Sequence, residues 1–247
     1  MEYVVLAAIG FVAGVQNALA GGGSFLTFPA LLFFGMGARA ANITSTLALF
    51  PGQVATGWAG RGQVANVGGL RFSTLAWISL VGGAAGALLL LATPESFFQR
   101  LVPFLILFAT IVFAWGSFSR QPADGAARIG PLAAVTVQAL LAVYGGYFGG
   151  GIGMLMLAVL TLSGLAVRAA AATKNALNAA LNLSAVGIFA TSADVHWAAA
   201  LALAAGSVAG GQVGAWALLR VNEAALRVFI VLVGTVLSVA MFWRAYG

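Results

Sequence analysis

The chain has 247 residues, 62% of them hydrophobic and only 6% charged, with a net charge of +6 and a mean hydropathy of +1.05. A soluble domain carries about a quarter charged residues, so this composition cannot dress a water-facing surface and describes a polytopic membrane protein. Cysteine is absent, which excludes disulfides and thiolate chemistry, and the basic residues stand singly, which does not suggest nucleic acid.

In chain order, "MEYVVLAAIG" places an acid where a signal peptide has its basic region, so it reads as the first membrane segment. A stretch at roughly 3–37 is too long for one span of about 20 residues. It is interrupted by "AGGGS" at Ala20–Ser24, which predicts two short helices joined by a glycine-rich break. Single spans are expected at roughly 40–60, 72–92 and 101–116. A polar linker at 117–129 follows. A second long stretch at roughly 130–166 is broken by "GGYFGGGIG" at Gly145–Gly153, and single spans at roughly 169–191, 197–219 and 224–243 complete the chain.

The order of the second half repeats that of the first. A shift of 129 positions carries Gly21 onto Gly150, Gly22 onto Gly151, Gly35 onto Gly164, Arg39 onto Arg168 and Thr44 onto Thr173. Further on, Gly82-xxx-Gly86 faces Gly206-xxx-Gly210, and the drift in offset matches unequal loops. The expected fold is therefore an all-α integral membrane protein of two repeats, residues 1–116 and 130–247. Each repeat is a Gly-broken helical hairpin plus three transmembrane helices.

Arginine placement orients the repeats. If each broken stretch is a hairpin, Arg61, Arg71, Arg120, Arg128, Arg168, Arg220 and Arg227 fall on one side, and Arg39, Arg100 and Arg244 on the other. If each is a single crossing, the arginines divide evenly. Cytoplasmic loops are rich in Lys and Arg, so the hairpin reading is preferred and both termini are expected in the periplasm. The repeats are then inverted relative to each other, an architecture that places a transport site near the midplane where they meet.

The chemistry is expected at the breaks. Non-helical backbone in a bilayer is tolerated only where it is buried in protein or lines a wet cavity. A helix that starts there aims free N–H groups and a positive dipole end at that cavity. Gln16, Asn17, Gly21, Gly22, Gly23 and Ser24 form one such candidate cradle, and Gly150, Gly151 and Gly153 the other. Tight packing turns are the bland alternative. In "AATKNALNAALN", Lys174 shares a helical stripe with Asn178 at i+4 and Asn182 at i+8, with Asn175 beside it. A lipid-facing stripe of this kind costs several kcal/mol, so it is expected to face a cavity, interhelical glue being the alternative. The first half holds a weaker stripe at the equivalent place: Thr44, Ser45, Thr46 and Gln53.

The acids Glu2, Glu95, Asp124, Asp194 and Glu223 all lie at the chain start or in the punctuation, none inside a predicted span. A buried cation, amide and hydroxyl donors, and no buried carboxylate together describe a site for an anion. His196 has no partners with metal-ligand spacing, and neither metal nor cofactor is expected.

"GFVAGVQNALAGGGSFLTFPALLFFGMGARAANITSTLAL" and "GGYFGGGIGMLMLAVLTLSGLAVRAAAATKNALNA" resemble the two copies of the signature of the sulfite exporter TauE/SafE family. The resemblance covers essentially the whole chain. It implies a bacterial inner-membrane protein, not an enzyme, that exports sulfite or a small organosulfonate such as sulfoacetate, with the lipid bilayer and a small anion as its partners. An anion channel of the same architecture is the alternative, and a membrane-embedded enzyme acting on lipid-linked phosphate a more distant one.

Overall fold

The computed structural model describes residues 1–19, 21–118, 129–217 and 223–246. Arg120, Arg128, Arg220, Asp124 and all but the ends of the 117–129 linker lie outside the described residues.

The described residues form ten α-helices and one 3-10 turn, without a β-strand. The first long stretch resolves into α1 (Glu2–Leu19) and α2 (Ser24–Phe33), followed by α3 (Ala38–Ala59), α4 (Phe72–Ala92) and α5 (Glu95–Phe118). The second resolves into α6 (Pro131–Tyr147) and α7 (Ile152–Leu162), followed by α8 (Val167–Phe189), α9 (Trp197–Ala217) and α10 (Glu223–Tyr246). Among the described residues, α1, α4, α5 and α9 contain windows long and apolar enough to cross a membrane. Four such helices in one chain describe a multi-pass membrane protein. Helices α3 and α8 are as long but carry the polar stripes.

Packing is symmetric under exchange of the two sets of five helices. Helix α1 packs on α9 as α6 packs on α4, and α3 on α9 as α8 on α4. Helix α2 meets α10 as α7 meets α5, while α3 packs on α8 and α5 on α10. The α3–α5 packing has no counterpart of similar extent among the described residues, and α7 meets α5 more extensively than α2 meets α10. Because α1 leans on α9 and α4 on α6, the sets interdigitate and do not form two separate bodies.

Glycines set the closest crossings. A Cβ at Gly206 would strike the backbone of Ala7 and Phe11, and one at Gly210 that of Phe11. Gly10 lies against Leu203 and Gly14 against Ser207. Numbers rise together along both helices, so α1 and α9 run parallel. In the same way Gly82 meets Ala142, Gly86 meets Val143 and Tyr147, and Gly146 meets Gly83, so α4 and α6 run parallel. Small residues in membranes allow this approach, which collects dispersion contacts where no hydrophobic effect separates helix from lipid.

Two ends of the bundle are distinct. At one end Arg39 donates from Nε to Asp194 Oδ2 (2.8 Å) and from Nη1 to the Thr93 carbonyl (3.1 Å). Glu95 there accepts the Arg39 N–H at the start of α3. Helix α9 starts at this end, so α1, parallel to it, starts here too. At the other end the Ala65 N–H donates to Thr173 Oγ1 (2.9 Å), and Leu165 packs with Val67 and Ile129 beside the start of α6. Each broken pair, α1–α2 and α6–α7, thus returns to the end from which it entered.

Candidate functional site

The two breaks meet. A Cβ on Gly21 would lie 2.6 Å from the Gly153 carbonyl carbon, and Ser24 Oγ reaches the Gly149 carbonyl at 3.4 Å. The turns share left-handed glycines at matching positions: Gly22 and Gly151, 129 residues apart, have φ of +81° and +75°, and Gly35 and Gly164, which follow α2 and α7, have +86° and +88°, whereas Gly21 (+84°) has no left-handed counterpart at Gly150. At Gly22 and Gly151 the left-handed backbone lets each chain reverse at once into a short helix; an L side chain there costs about 1–2 kcal/mol. Helices α2 and α7 therefore start side by side, with their positive dipole ends converging.

Between these starts and the middle of α3 lies a polar cavity of about 20 Å³, room for about one water. Of the residues expected from the sequence, Asn17, Gly22, Ser24, Ser45, Thr46, Gln53 and Gly153 line it. Leu49, Gly149, Ile152 and Asn182 complete the wall. Asn182 stood outside the candidate set although two signals pointed to it: its i+8 position from Lys174 and its equivalence to Gln53. The structure joins those equivalents directly, Asn182 Nδ2 donating to Gln53 Oε1 at 2.6 Å. Ser45 is held by Thr27, hydroxyl to hydroxyl at 2.6 Å.

A second group backs the cavity. Gln16 donates from Nε2 to the Gly22 carbonyl (3.2 Å) and fixes the first break. Gly23 precedes α2 and its carbonyl accepts the Thr27 hydroxyl at 3.4 Å. Asn178 is buried with Nδ2 against Gly153. Lys174 is 0% exposed, and its Nζ donates to the Asn17 carbonyl at 3.1 Å. That carbonyl closes the last turn of α1, so the ammonium sits at the negative end of a helix dipole, where a cation is stabilised. The second hairpin has the same device with a neutral group: Asn42 of α3 donates from Nδ2 to the Tyr147 carbonyl at the end of α6 (3.2 Å). A lysine amine from α8 caps α1, and an amide from α3 caps α6.

Three expected residues lie elsewhere. Thr44 accepts the His196 N–H (3.2 Å) at the start of α9. Asn175 is half-buried on the α3-facing side of α8, its carbonyl near Gly57. The Gly150 carbonyl accepts the Tyr144 hydroxyl (2.7 Å), which pins the second break from behind. The N–H groups of Gly22, Gly151 and Gly153 meet no protein acceptor among the described residues, and no carboxylate lines the cavity.

A family model described as sulfite exporter TauE/SafE matches residues 6–241. A probable membrane transporter protein of Haemophilus influenzae is 30% identical over 245 residues, covering 97% of this chain and 94% of its own length. The probable membrane transporter protein ORF9 of a Sinorhizobium species is 30% identical over 235 residues, covering 94% and 88%. The probable membrane transporter protein YfcA of Escherichia coli K12 is 26% identical over 245 residues, covering 98% and 90%.

Proposed function

Since the chain belongs to the sulfite exporter TauE/SafE family and is a membrane transporter, we propose that it exports a small sulfur-containing anion, sulfite or an organosulfonate such as sulfoacetate. The cargo is held where the two hairpin breaks touch. One observation carries this reading: two short helices start side by side on a buried polar cavity with no carboxylate in its wall. Free amide N–H groups and two positive dipole ends suit an anion and repel a cation. Lys174, through the end of α1, adds positive potential from behind.

The reading includes the architecture. The repeats are inverted, and export runs by alternating exposure of the shared site. The exchange-symmetric packing and the return of each hairpin to its own end support this. A cavity of about 20 Å³ is too small for the cargo, so the site must open to load it, which suits a carrier better than a standing open channel. The membrane is the bacterial inner membrane, negative inside, so each exported charge gains about 2.3 kcal/mol per 100 mV, and an anion leaves downhill on voltage alone.

The test is efflux from proteoliposomes preloaded with labelled sulfite or sulfoacetate. Saturable counterflow is expected. Flux that rises linearly with concentration would favour the channel, and no flux of either anion would sink the substrate assignment.

A further inference from the structure

We infer that the paired amides of Gln53 and Asn182 read a hydrogen-bond donor on the cargo, so that the carried species is a singly protonated oxyanion of the hydrogensulfite type and not a fully deprotonated dianion. The inference rests on the anion reading above and narrows it.

Both amides line the cavity, 7% and 3% exposed, and one bond joins them, from Asn182 Nδ2 to Gln53 Oε1. A primary amide offers one carbonyl and one NH2 group. A single bond between two such groups uses one oxygen and one NH2. It leaves a spare oxygen on one partner and a spare NH2 on the other, whichever way the pair is turned. In the structure the spare oxygen is Asn182 Oδ1, buried without a partner. Gln16 Oε1 and Asn178 Oδ1 are buried and unpartnered as well. The Gln16 amide cannot turn its NH2 round, because Nε2 is bound to the Gly22 carbonyl.

The wall therefore offers more than donors. Gly153 and the spare NH2 of Gln53 supply donors in this wall, while Asn182 Oδ1 beside them has nothing to accept. A dianion without a proton sets oxygen against oxygen there. An oxyanion with one O–H satisfies both halves of the wall. Buried polar groups left unpaired by the wrong ligand are the strongest means of rejecting it. The two amides are also repeat equivalents, so exchange of the halves leaves the pair in place, and it is offered to the cargo in both access states.

The experiment compares hydrogensulfite with chlorate, a pyramidal monoanion of similar size that carries no proton, by titration calorimetry on the purified full chain at constant ionic strength. At a pH where hydrogensulfite dominates, it should bind at least about tenfold more tightly than chlorate. The advantage should fade as pH rises through its second ionisation, while chlorate affinity follows only the protein. Asn182→Leu should bring the two affinities together. Equal affinity of the two anions in the unsubstituted protein overturns donor reading and leaves the anion site standing. If that protein binds neither anion, the anion reading itself falls. Should Asn182→Leu fail to fold, the comparison in the unsubstituted protein decides alone.

Discussion

Lys174 and Asn42 perform the same task on different hairpins, yet only Lys174 is able to carry charge. The comparison separates two roles for Lys174. Capping needs a donor, which glutamine also supplies; raising the potential at the cavity needs the ammonium. Lys174→Gln is expected to keep the folded yield near that of the parent and to weaken sulfite binding about tenfold, the scale of one charge removed from behind the site. Lys174→Met, which removes donor and charge together, should lose yield as well. Calorimetry and size-exclusion profiles of both variants check this; unchanged sulfite affinity in both would remove Lys174 from the site. The burial of Lys174 was legible from its stripe, because residues four and eight apart share a helix face. Its target was not, since the Asn17 carbonyl is 157 residues away and is presented only after the hairpin turns back. Asn175 and Thr44 lie off the cavity for a related reason. One step along a helix turns a side chain by about 100°, so Asn175 leaves the face of Lys174, and Thr44 turns to α9 while Ser45 turns to the cavity.

At the scale of the elements, the glycine runs were legible as breaks, and the structure adds that the two breaks touch. Gly22→Ala puts a side chain on a left-handed residue, at about 1–2 kcal/mol, and against the Met154 side chain. It is expected to lower the thermal midpoint and to weaken anion binding together, because the same turn aims the start of α2. A shift in one without the other would separate the turn from the site. The helix-crossing glycines behave differently. Gly86→Leu or Gly210→Leu pushes into backbone of a neighbouring helix, so folded yield in detergent should drop sharply while any surviving protein keeps its anion preference. Normal yield with altered preference would place these glycines in the site instead. Their small-xxx-small spacing announced a close crossing, but not that the partner belongs to the other half.

For the whole molecule, the order of long and short segments carried the order of the helices and the two hairpins. The interdigitation was not legible, because it depends on contacts between segments far apart in sequence, which periodicity does not encode. The topological reading is tested by fusing a reporter active only in the cytoplasm after Gly247. It is expected to be silent, and a bright colony would overturn the periplasmic C-terminus. The ion pair of Arg39 with Asp194 binds three loops at the same end; its repeat equivalent Arg168 is exposed and takes part in no ion pair among the described residues. Asp194→Asn should therefore raise labelling by a membrane-impermeant reagent at a cysteine placed in the 190–196 loop, whereas Arg168→Gln should leave that loop's labelling unchanged.

The pairing of α1 with α9 also dictates how the chain is made. Helix α1 leaves the ribosome long before α9. At about 5–20 residues per second, α1 waits on the order of ten seconds or longer for its partner. Throughout that interval Gly10 and Gly14 face lipid or the insertion machinery, and the Asn17 carbonyl has no ammonium to receive. The first hairpin is thus a provisional insertion, completed only when the second half is synthesised, and a ribosome stalled before α8 would leave behind an intermediate suited to degradation by membrane proteases.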